Sequence, residues 1–100
     1  IVVLLGCAHA GTVNTLNYIS KLTGQEKMFA VIGGMHLINA SPQRIEKTIE
    51  AFRMYDIQKI VPLHCTGTKA AARLKEAFGE KCLILETGTK INLSSSYHVY

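Results

Sequence analysis

Short apolar runs punctuate the chain at regular intervals: IVVLL at 1–5, MFAVI at 28–32, KIVPL at 59–63 and CLILE at 82–86. Strands buried on both faces read this way, whereas a half-solvated sheet alternates apolar with polar. Between the runs the period changes. Val13, Leu16, Ile19 and Leu22 keep a broad apolar face on a predicted helix that Thr12 caps and Gly24 ends. Ser41 followed by Pro42 is a helix-start signal, with Ile45, Ile49 and Phe52 at helical spacing and an end near Asp56. A third helix is predicted from about Thr68, with Ala71, Leu74 and Phe78 inward and Gly79 beyond its end.

After CLILE, Thr87 and Gly88 signal a turn, and the alternation of TKINL predicts a half-exposed closing strand. The order is therefore β-α-β-α-β-α-β-β in a single domain over 1–94, with a short tail at 95–100. Strands alternating with helices imply crossover connections. The fold class is α/β, with a mostly parallel sheet and functional loops at the carboxyl ends of its strands.

Composition narrows the function classes. Apolar residues make up 48% of the 100 positions and charged residues 18%, the profile of a globular domain. No run approaches the roughly 18–20 apolar residues that span a bilayer, so no membrane partner is expected. The net charge of +4 comes from scattered Lys and Arg, with no Trp and no aromatic pattern of an RNA-binding sheet. A solvated basic surface accounts for such scattered charge; as a ligand, a small phosphorylated substrate suits it better than nucleic acid, which is not expected. Cys7, Cys65 and Cys82 are odd in number and irregular in spacing, which points to reduced thiols and a cytoplasmic location. The chain opens on Ile and runs straight into a core-like strand, so it is expected to be a piece of something longer.

Three of the four histidines hold equivalent places. His9 follows the first strand, His36 the second, and His64 ends the third; Gly6, Gly11, Gly33, Gly34 and Gly67 accompany them. In a parallel sheet such ends lie side by side, about 5 Å apart, so three imidazoles can converge on one edge. Neutral imidazole is a good ligand for zinc or iron, and a metal with an open position lowers the pKa of water toward about 7. Against this stands the ordinary role of a strand-end histidine as a hydrogen-bonded loop residue. His98 has no such context.

Two other motifs fail on inspection. Gly6 to Gly11 frames a phosphate-binding P-loop, but Thr12 and Val13 stand where Lys and Ser or Thr are needed. His64 and Cys65 open like the loop of a cysteine phosphatase, but Ala71 occupies the position of the required Arg, and Arg73 comes two residues late.

GCAHAGTVNTL, VIGGMHL and VPLHCTGTKA, in this order and at these intervals, resemble the C-terminal half of metallo-β-lactamase superfamily hydrolases. They look most like the subgroup of 7,8-dihydropterin-6-methyl-4-(β-D-ribofuranosyl)-aminobenzene-5′-phosphate synthase-like proteins. The resemblance implies half of an αββα sandwich and a divalent metal, zinc first, with iron or manganese as alternatives. It makes His9 and His64 metal ligands. His36 stands where the superfamily usually places a bridging Asp, and it is taken as a catalytic residue that ligates metal, supports the ligands or contacts substrate. Thr66, Gly67 and Thr68, at a helix start, are candidates to bind an anionic substrate group; an ordinary capping turn is the alternative.

The superfamily's HxHxDH motif has no counterpart in the chain. The resemblance thus implies a metal-dependent hydrolase or related transferase using metal-activated water, present as a partial domain. The other reading is a non-catalytic structural or interaction remnant of the fold. In either case an apolar sheet face would be left uncovered, so a second chain or self-association is expected over it.

Overall fold

The computed structural model describes residues 1–6, 8, 11–63 and 66–85. Three parallel strands, β1 (Val2–Leu5), β2 (Ala30–Gly34) and β3 (Lys59–Leu63), lie in the order β1-β2-β3. Their crossovers are the helices α1 (Thr12–Thr23) and α2 (Pro42–Met54), and α3 (Thr68–Phe78) follows β3. The chain is α/β, as the alternation of apolar runs and helical patterns predicts.

Register decides what each face does. Val3, Val31 and Ile60 are aligned across the three strands and join Leu16, Ile45, Ile49, Phe52 and Leu74 in one core, so this face meets the helices. The next residues along, Leu4, Ile32 and Val61, are also aligned, and alternation turns them to the other face. Leu4 is 75% exposed there.

The helices follow local chemistry closely. Ser41 caps α2 by accepting from the Arg44 N–H at 3.2 Å, with Pro42 in the first turn, where its missing N–H costs nothing. Gly24 ends α1 at φ 72°, the left-handed cap that glycine adopts without a Cβ penalty. Three details differ from expectation. The N-cap of α1 is Gly11, and Thr12 is its first helical residue. Leu22 is 69% exposed, because a repeat of three drifts off the buried face by the last turn. In α3 the fully buried alanine is Ala70, with Ala71 half-buried beside it.

The run CLILE forms a single parallel bridge among the described residues, Cys82 beside Ile60, with the Leu83 N–H donating to the Ile60 carbonyl at 2.8 Å. The cause lies in β3. Residues two apart on a strand present their backbone groups to the same edge, so the next partner after Ile60 is Pro62, which has no N–H to give. The ladder stops where it begins. The predicted strand TKINL lies outside the described residues, as does the rest of 86–100.

Candidate functional site

The carboxyl ends of the three strands converge because glycine lets them. Gly33 lies in β2 at φ 131°, and a Cβ there would run into the carbonyl oxygen of Leu5 on β1. Only a residue without a side chain permits this approach. One residue on, the Gly34 N–H donates to the Gly6 carbonyl at 3.0 Å, which ties the start of the loop after β1 to the end of β2. In that first loop Gly11 donates to Ala8 at 2.9 Å. On the other side Gly67, at φ 83°, lies so close to Ile38 that a Cβ would meet the Ile38 Cα at 2.8 Å.

At the centre of this edge is Met35, whose side chain is fully buried. Its N–H donates to Thr66 Oγ1 at 3.0 Å, and its carbonyl accepts from Thr12 Oγ1 at 2.9 Å. Thr66 Oγ1 also donates to the Leu63 carbonyl at 2.8 Å. Both threonines are buried. The loops after β1, β2 and β3 are therefore joined through the backbone of one residue.

His36 follows Met35 directly. It is half-buried at φ 53°, and Leu37 beyond it is buried again. A left-handed conformation costs a non-glycine residue roughly 1–2 kcal/mol, and His36 adopts it between two buried neighbours, Met35 and Leu37. His9 and His64 lie outside the described residues, as do Cys7, Ala10 and Cys65. Among the described residues no three His, Cys, Asp or Glu side chains gather into a metal cage.

Of the substrate-binding candidates, Thr66 has its hydroxyl committed at both ends, Gly67 is the N-cap of α3 and Thr68 is its exposed first residue. Thr12 was legible only as a cap; its hydroxyl reaches a partner 23 positions away, for which the local sequence carries no signal. Arg73, too late in sequence to clamp a phosphoryl group beside Cys65, pairs with Glu46 at 2.8 Å and Glu76 at 3.6 Å. A shallow cleft lined by Phe52, Asp56, Phe78 and Lys81 lies near the C-terminal ends of α2 and α3, away from His36.

The fold with this edge is one that has been seen before. The crystal structure of Tm1679, a metal-dependent hydrolase of the β-lactamase superfamily, superposes on 92% of the chain with a TM-score of 0.84 and 37% sequence identity. In fold and sequence the chain resembles a part of the metallo-β-lactamase superfamily. In sequence it is 40% identical over 88 residues to the 7,8-dihydropterin-6-methyl-4-(β-D-ribofuranosyl)-aminobenzene-5′-phosphate synthase of Methanocaldococcus jannaschii. An uncharacterized protein of the same organism is 33% identical over 75 residues. No family model matches. The chain spans 30% and 28% of those two relatives and 36% of the crystallised hydrolase, so it corresponds to about a third of each.

Proposed function

We propose that the chain contributes part of the active site of a metal-dependent hydrolase, or of a related transferase or synthase, acting on a small phosphorylated substrate. The observation that carries the reading is the joining of three strand-end loops at Met35, each of which has one histidine in its sequence or directly beside it. Its context is the superfamily, where a relative of similar fold is a metal-dependent hydrolase.

The donor set suits a divalent metal. His9 and His64 would hold it, zinc being the first candidate with iron and manganese as alternatives, because imidazole nitrogen suits all of them. When bound, the metal would supply Lewis acidity and activate water at neutral pH. His36, half-buried on the middle loop, is assigned to proton handling or to the substrate. Gly67 and Thr68 open α3, whose first N–H groups have no acceptor within the helix and suit an anionic substrate group. Thr66 serves that segment by holding it, since its hydroxyl already has two partners.

Two further features belong to the same reading. The sheet face of Leu4 and Ile32 is assigned to an interface with further structure of this fold, from a second chain or a second copy, because an apolar sheet face is stable only when covered. The cytoplasm is the assigned location, on account of an odd number of cysteines without paired spacing. No helix among the described residues is long and apolar enough to cross a membrane.

The test is hydrolysis of a panel of small phosphoesters with zinc, iron or manganese added. Activity that chelator abolishes, and that His9→Ala or His64→Ala each lower by at least about 100-fold, supports the assignment. Activity indifferent to chelator and to both substitutions refutes it.

A further inference from the structure

We propose that Thr12 and Thr66 are positioning residues, which fix the orientation of His36 by holding both polar groups of the Met35 backbone. The proposal rests on the assignment of His36 to the site, and it goes further by naming what places that side chain. Three observations carry it. The Met35 N–H and carbonyl are bonded to side chains from two different segments, at 3.0 Å and 2.9 Å, across 31 and 23 positions of sequence. Both hydroxyls are buried, so no solvent competes for these bonds. His36, the next residue, stands at φ 53°, a conformation that L residues hold only when their surroundings impose it.

The arrangement has a direct consequence. Thr12 comes three residues after His9 and Thr66 two residues after His64, so each threonine ties its own loop to the loop of His36. A shift of either loop is passed to the peptide that sets the His36 backbone. Neither threonine is asked to touch metal or substrate. Thr48 provides a comparison: it is equally buried, but its hydroxyl donates to the Arg44 carbonyl inside its own helix at 2.9 Å, away from the joined loops.

The experiment compares Thr12→Val, Thr66→Val, Thr12→Ser, Thr66→Ser and Thr48→Val in the metal-free protein. The His36 imidazole resonances and the exchange of the Met35 amide are followed by NMR. The valine variants at 12 and 66 are expected to shift the His36 ring signals, and Thr66→Val to speed Met35 exchange by about tenfold. The serine variants should restore both, and Thr48→Val should alter neither even where it lowers the melting temperature.

Unchanged His36 signals in both valine variants would overturn the proposal. Should the valine variants not fold, wild-type exchange decides: a Met35 amide as slow as that of Gly34 supports it, and one exchanging at the rate of an open loop overturns it. Zinc titration separates this proposal from the functional reading. A wild-type protein that binds no zinc, iron or manganese refutes the functional reading alone, because the imidazole signals still decide the role of the threonines.

Discussion

Gly33 of β2 faces the carbonyl oxygen of Leu5 on β1 so closely that no Cβ can stand between them. The relationship closes the edge of the sheet where the loops meet. Gly33 also holds φ 131°, so any substitution meets both a clash with backbone, which cannot swing aside, and an unfavourable dihedral.

Gly33→Ala should therefore cost about 2 kcal/mol or more. Gly6 is a fitting comparison, since nothing lies within 4 Å of its would-be Cβ. Gly6→Ala should stay within about 1 kcal/mol of wild type. Urea denaturation of the two variants checks this. Equal stabilities would mean that β1 and β2 do not approach as described.

Cys82 offers a pH test. Its thiol is buried beside Ile60, and burial pushes its pKa above the ordinary value, while the nearby Lys75 ammonium partly opposes the shift. The folded protein thus keeps a proton that the unfolded chain gives up. That contribution to stability is complete below the ordinary thiol pKa and is lost as pH rises toward the raised one. Between about pH 7 and pH 10 the stability of wild type should fall relative to Cys82→Ala. Taking the difference between the two proteins removes the other thiols, and a difference independent of pH would show that Cys82 ionises freely in the fold.

Pro62 sets the limit of the sheet. With an N–H restored at that position, the edge of β3 could bond a second time to the segment after Cys82. Pro62→Val should therefore give a slowly exchanging amide at residue 62. Hydrogen exchange measured by NMR reads it directly, and rapid exchange there would mean that something other than the missing donor ends the pairing.

Much of this architecture was legible in sequence because it rests on local signals. The runs IVVLL, MFAVI and KIVPL became parallel strands, and the Ser41 and Pro42 pair began α2, since apolar patterning and capping act over a few residues. Leu22 was misread because its environment depends on where the last turn of α1 points. The reduction of CLILE to a bridge depends on which edge Pro62 presents, a matter of register. Of the site, the placement of His36 after β2 could be read from the chain, whereas the roles of Thr12 and Thr66 could not. Their partners lie 23 and 31 residues away, and side-chain bonds to distant backbone leave no periodic trace.

The central claim is that His9 and His64 belong to a metal site. Elemental analysis of the purified protein, loaded with zinc and dialysed, tests it against His9→Ala and His64→Ala, with folding confirmed by circular dichroism. The account predicts bound metal in the wild type, at least about tenfold weaker binding in either variant, and a wild-type signal that chelator removes. Negligible zinc, iron and manganese in the folded wild-type protein, or metal retained equally by both variants, would contradict it.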